Sequence, residues 1–147
     1  MSDTKFPSTK ITIMVVDDEP ELATILRLML ERKGYSVRCA YSGPQLLAGL
    51  EEQKPDLIFL DVMMPEMDGL EVLTRLKGNP DTVSIPVIML TALDRHEDRL
   101  RGYELGADHY ISKPFTKAQL TEGINRLLSG DQGYAVEGPY QGQLNIA

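Results

Sequence analysis

The chain has 147 residues, 42% of them hydrophobic, enough for one domain that buries a core without cross-links. Its single cysteine, Cys39, excludes an intramolecular disulfide and a cysteine-based zinc cluster, reads as a small core residue, and suits a reducing compartment. A formal charge of −7 with no Lys/Arg-rich run argues against direct nucleic-acid contact, and no apolar run reaches membrane-spanning length, so a cytoplasmic protein without membrane contact is expected.

Residues 1–9 are polar and read as a flexible segment. The first strand, β1, is expected at about 11–16, where nearly every residue is apolar, as in strands buried on both faces of a parallel sheet. Pro20 opens α1 (20–33), whose Leu22, Ile25, Leu26, Met29 and Leu30 fall on one helical face and should be buried, and Gly34 ends it. β2 follows at 35–40, then α2 at 43–53, opened by the capping pair Ser42/Gln45. β3 (56–60) is again apolar throughout, and α3 (69–77) starts at Asp68/Glu71 and stops at Gly78. β4 (86–90), α4 (95–105, capped by Asp94/Glu97 and ended by Gly106), β5 (108–111) and α5 (117–129, capped by Thr116/Gln119) complete the series. In α5, Leu120, Ile124, Leu127 and Leu128 form the buried stripe. Five successive βα units with right-handed crossovers give an α/β, doubly wound parallel sheet, with ligand chemistry at the carboxyl ends of the strands. The Gly/Gln/Tyr-rich stretch 130–147 has no apolar period and reads as a tail or the start of a linker.

Just past those strand ends lie Asp17 and Asp18 after β1, Asp61 after β3, Thr91 after β4 and Lys113 after β5. Taken singly, Asp17 and Asp18 also fit helix caps, Thr91 a strand-end hydroxyl, and Lys113 a solvated lysine. Together they are chemically coherent. Three crowded carboxylates call for a hard divalent cation, Mg²⁺ before others. A carboxylate can attack phosphorus, and mid-sheet Asp61 is the natural nucleophile. Lys113 and Thr91 could hold the remaining phosphoryl oxygens. Asp68 and Gly69 read as a turn and helix cap. Met63, Met64 and Met67 read as loop packing, and His96 and His109 as solvent-facing, with no second ligand at metal-binding spacing.

The segments VVDDE (15–19), LDVMMPEMDG (60–69), IPVIMLTA (85–92) and GADHYISKPF (106–115) resemble the signature segments of response-regulator receiver domains of two-component, histidine–aspartate phosphorelay systems. The resemblance covers about 10–129 and implies a flavodoxin-like (βα)5 fold with strand order 2-1-3-4-5. It implies that Asp17, Asp18, Asp61 and the backbone carbonyl of Met63 hold Mg²⁺, that Asp61 is the phosphoacceptor, and that Thr91 and Lys113 contact the phosphoryl group. It further implies a cis Lys113–Pro114 peptide, and a switch in which Tyr110 moves inward when Thr91 is drawn to the phosphate. The α4-β5-α5 face would then be the readout surface. Implied partners are a histidine kinase or phosphotransfer protein, docking near the apolar stripe of α1, and a downstream protein or output domain.

Three functions compete. The first is a phosphoacceptor switch that catalyses only its own phosphorylation and dephosphorylation, and is otherwise not an enzyme. The second is a pseudo-receiver that binds protein without cycling phosphate, which the intact Asp17/Asp18/Asp61/Thr91/Lys113 set opposes. The third, a Mg²⁺-dependent phosphohydrolase, typically carries an acid two residues after the nucleophile, where Met63 stands here. Met63 and Leu93 are apolar beside the phosphoryl position and cannot orient an attacking water, so slow autodephosphorylation is expected. A phosphorylation-dependent homodimer remains open. Gly123 stands near where dimerising relatives place an arginine, and Asp108, Arg95, Arg99 and Arg101 are left for other pairings.

Overall fold

The computed structural model describes residues 10–92 and 96–128. Five parallel strands, β1 (Thr12–Val16), β2 (Ser36–Ala40), β3 (Leu57–Asp61), β4 (Val87–Ala92) and β5 (His109–Lys113), form one sheet in the spatial order β2-β1-β3-β4-β5. The helices between and after them are α1 (Pro20–Arg32), α2 (Gly43–Glu52), α3 (Gly69–Lys77), α4 (His96–Leu105) and α5 (Lys117–Leu128). This is the flavodoxin-like α/β order implied by the resemblance.

Successive side chains of a strand point to opposite faces, so the all-apolar strands feed two cores. Met14, Val16, Ile58, Leu60, Val87 and Met89 pack with α2 and α3 residues such as Leu46, Leu50, Val72, Leu73 and Leu76. Ile13, Val15, Leu57, Phe59, Ile88 and Leu90 pack with Ala23, Leu26 and Leu30 of α1 and Leu120 and Ile124 of α5. Phe59 is fully buried.

Capping acts as the spacing indicated. Ser42, Asp68 and Thr116 accept from the backbone N–H groups of Gln45, Glu71 and Gln119 at 3.1, 2.9 and 3.1 Å. Gly34 and Gly106 end their helices at φ 100° and 108°, the left-handed region that glycine enters without a Cβ penalty, whereas Gly78 stops α3 at φ −91°.

Several expectations need correction. Strands β3, β4 and β5 run one or two residues past their expected ends, because parallel pairing continues through Asp61↔Leu90, Thr91↔Ser112 and Ala92↔Lys113. Asp61, Thr91 and Lys113 are therefore strand residues rather than loop residues. On α1, Leu26 and Leu30 are buried but Ile25 is 51% exposed, since it lies at the edge of the stripe beyond the sheet. His109 is half-buried rather than solvent-facing, because α5 presents Gly123 to it: a Cβ there would stand 3.2 Å from the imidazole Cδ2. Burial, with the Arg126 and Arg99 guanidinium groups, pushes its pKa down to about 4, against a smaller opposing effect of Glu122. Asp108 is not free for other pairings: it accepts from the Lys77 ammonium at 3.2 Å and from the Val87 N–H at 2.8 Å. Cys39 is half-buried against the α1 side, and burial raises its thiol pKa. Of the methionines, Met64 is buried and Met67 half-buried, but Met63 is 53% exposed. Residues 1–9, Leu93, Asp94, Arg95, the side chains of His96 and Asp98, and the stretch from 129 onward lie outside the described residues.

Candidate phosphoryl-acceptor site

A parallel sheet brings all its strand carboxyl ends to one edge, and there the polar residues of three strands and one loop meet. Asp61, the last residue of β3, is 4% exposed, and Asp17, just after β1, is 2% exposed. Asp18 is half-buried beside them. One carboxylate oxygen from each of the three lies within 4.8 Å of the others. Asp17 is oriented through Oδ1, which accepts from the Glu19 N–H at 2.9 Å. Asp61 Oδ1 accepts from the Met63 N–H at 3.4 Å, so the loop after β3 begins by folding over the carboxylate.

The cation of this group is Lys113. From the end of β5 its Nζ donates to Asp61 Oδ1 at 3.2 Å and Asp17 Oδ2 at 3.4 Å. Burial disfavours the ammonium, yet the two carboxylates outweigh that and hold its pKa above that of a free lysine. The Lys113–Pro114 peptide is cis. Asp61 behaves oppositely. Burial and the charge of Asp17 raise its carboxyl to about 6, with Lys113 and the Met63 N–H opposing. One ammonium among three acids leaves the cluster electron-rich, with hard oxygen donors facing one another, and this donor set fits a divalent cation of the Mg²⁺ or Ca²⁺ kind.

Thr91 is 1% exposed at the end of β4, beside β5. Tyr110 is 4% exposed and belongs to the core on the α2–α3 side. Its ring centroid is 5.1 Å from that of Tyr103, and the Arg99 Cζ lies 5.9 Å from the Tyr110 centroid. Asp17, Asp18, Asp61, Thr91 and Lys113 thus fall on this sheet edge, Tyr110 lies buried against Gly102 of α4, and Leu93 lies outside the described residues. Sequence reasoning gives Gly69 no more than a turn, yet it is buried directly against the Asp61–Val62 backbone. A glycine after a helix cap carries no sequence signal that separates close packing from an ordinary turn.

Comparison with known proteins agrees with this geometry. The family model for the response regulator receiver domain matches residues 13–125. The chain is 44% identical over 116 residues to the alkaline phosphatase synthesis transcriptional regulatory protein PhoP of Bacillus subtilis, an alignment covering 79% of this chain and 48% of PhoP. It is 40% identical over 119 residues to the probable transcriptional regulatory protein TcrX of Mycobacterium tuberculosis, covering 80% of this chain and 50% of TcrX. The chain therefore spans about half the length of these curated relatives. Among solved structures it is similar to the signal receiver domain of a signal transduction histidine kinase from Syntrophus aciditrophicus, with TM-score 0.76, 42% identity, and coverage of 82% of this chain and 92% of that one. No helix among the described residues is long and apolar enough to cross a membrane. With a family model spanning most of its length and the acidic cluster, lysine and threonine on one sheet edge, the chain belongs to the response regulator receiver domain family.

Proposed function

We propose that Asp61 is the phosphoacceptor of a two-component signalling pathway. One of its carboxylate oxygens attacks the phosphorus of a phosphohistidine on a histidine kinase or phosphotransfer protein, the P–N bond breaks, and the departing imidazole nitrogen takes up a proton. Asp17, Asp18, Asp61 and the Met63 carbonyl would hold Mg²⁺, which when bound neutralises the carboxylates and the phosphoryl oxygens together. Lys113 shifts from its carboxylate partners toward a phosphoryl oxygen, and the Thr91 hydroxyl donates to another. The chain acts only on itself, as a signalling domain rather than an enzyme with a separate substrate.

The observation that carries this reading is Asp61 itself: nearly buried, 3.2 Å from the Lys113 ammonium, and clustered with Asp17 and Asp18. Movement of Thr91 toward the phosphate would shift Tyr110 and with it the α4-β5-α5 face, changing what that face binds: a downstream protein, an output domain or a second copy. The receiver unit would run over about 10–129, working in the cytoplasm, and nucleic acid would be reached only through a partner or another domain. The exposed thioether of Met63 beside the site, with Leu93, favours a long-lived phosphorylated state.

Intact mass after incubation with acetyl phosphate and Mg²⁺ tests the assignment. Wild type should gain one phosphoryl group only with Mg²⁺, and Asp61→Asn none. Equal gain in both proteins would place the phosphate elsewhere, and no gain in either would favour the pseudo-receiver reading. A phosphorylated half-life of seconds would contradict the role given to Met63 and Leu93.

A further inference from the structure

The loop 62–68 joins β3 to α3 and carries the Met63 carbonyl, and its importance rests on the assignment of that carbonyl to the metal. Two glycines hold this loop from opposite sides. Gly69, the first residue of α3, is buried, and its N–H donates to the Val62 carbonyl at 2.8 Å. A Cβ there would overlap the Asp61 carbonyl oxygen and stand 2.8 Å from the Val62 Cα. Asp61 is in register with β4 and the Val62 N–H donates to the Leu90 carbonyl at 3.0 Å, so these backbone atoms cannot rotate away. Gly43, the first residue of α2, faces the far end of the loop, where a Cβ would stand 2.7 Å from Val72 Cγ2 and 2.8 Å from Met67 Sδ. Val72 is fully buried and stiff at χ1, so Met67 is the side chain that would have to yield. Between the two contacts Glu66 takes the left-handed conformation at φ 69°, which leaves the loop little slack.

We propose that Gly69 and Gly43 are positioning residues for metal loading and phosphoryl acceptance: their missing side chains let the loop lie where the Met63 carbonyl and the Asp61 carboxylate address the same ion. Neither glycine touches the ion or the phosphoryl group. Gly69 acts through the Asp61–Val62 peptide, and Gly43 acts through Met67.

The test compares wild type, Gly69→Ala, Gly43→Ala and Leu50→Ala, the last removing core volume at the opposite end of α2. Mg²⁺ binding is measured by calorimetry, phosphorylation by intact mass with acetyl phosphate, and the loop itself by amide NMR of the metal-free proteins. The Mg²⁺ Kd should rise about tenfold in Gly69→Ala and by a smaller factor in Gly43→Ala, as for other substitutions that move a ligand without removing it. Loop amides should shift in both glycine variants, while Leu50→Ala keeps the wild-type Kd despite lower stability. Folded glycine variants that bind Mg²⁺ like Leu50→Ala would overturn the proposal. If Gly69→Ala does not fold, Gly43→Ala decides alone by the same criterion. Wild type that binds Mg²⁺ yet takes no phosphoryl group would remove the phosphoacceptor reading while the Kd comparison still judged the glycines. Wild type that binds no Mg²⁺ would overturn both.

Discussion

Replacing His109 with glutamine should flatten the acid dependence of stability. The native imidazole is held near pKa 4 by burial and by Arg126 and Arg99, against an ordinary value of 6.5. Because the native value is the lower one, the unfolded chain takes up this proton first. Stability is fully present above the unfolded pKa, is lost as the pH falls through 6.5 toward 4, and levels off below. Between pH 7 and pH 5 those two values correspond to a loss of about 2 kcal/mol from this one group. Asp61 works in the other direction. Its native pKa of about 6 lies above its ordinary 3.8, so it adds stability as the pH falls through 6. That contribution is common to both proteins and cancels in their difference, since the two residues sit at opposite ends of the sheet. Urea unfolding at pH 7 and pH 5 in EDTA should show wild type losing about 2 kcal/mol more than His109→Gln. Identical pH dependence in the two, or an NMR titration of His109 centred at 6.5, would refute the burial of this imidazole as the cause.

Gly102→Ala should expel Tyr110 from beneath α4, because the new Cβ would stand 2.6 Å from the ring Cζ and closer still to the hydroxyl; mapped nitration should then modify Tyr110 where wild type is protected, and equal protection would count against it. Lys77→Met should cost about 2–3 kcal/mol by urea unfolding, because the Lys77 ammonium donates to Val83 O, Ile85 O and Asp108 and none of the three keeps that donor. Glu66→Gly should raise the melting temperature slightly, by relieving a left-handed non-glycine residue worth about 0.5–1 kcal/mol after glycine's entropy is counted; a fall would show that the Glu66 side chain contributes more than its backbone costs.

The three central strands were legible because parallel strands buried on both faces leave an apolar run, and the helices because caps and Gly34 or Gly106 mark their ends. Strand carboxyl ends were less so. Asp61, Thr91 and Lys113 look like loop residues by hydrophobicity, yet the ladder continues through them, since backbone pairing is indifferent to side-chain polarity. The convergence of Asp17, Asp18, Asp61 and Lys113 could be anticipated because topology alone puts them on one edge. What surrounds them could not. Whether His109 meets solvent depends on a glycine fourteen positions away on α5, and whether Asp108 is available depends on Lys77 reaching it across the sheet end. Such contacts arise from packing distances that no local pattern encodes.

The helices are not equally fastened. α3 drives Val72, Leu73 and Leu76 into the core, whereas among the described residues of α4 only Gly102 is buried, with Arg99 and Leu105 half-buried and Leu100 and Tyr103 at 67% and 49% exposure. The helix rests on the sheet largely through a residue with no side chain and through the aromatic ring of Tyr110 below it. Lifting or sliding α4 would thus expose little apolar surface, and its amides should exchange with solvent at a far smaller opening free energy than those of α3. A displacement confined to α4 would redraw one side of the outline while the rest of the core stayed shut.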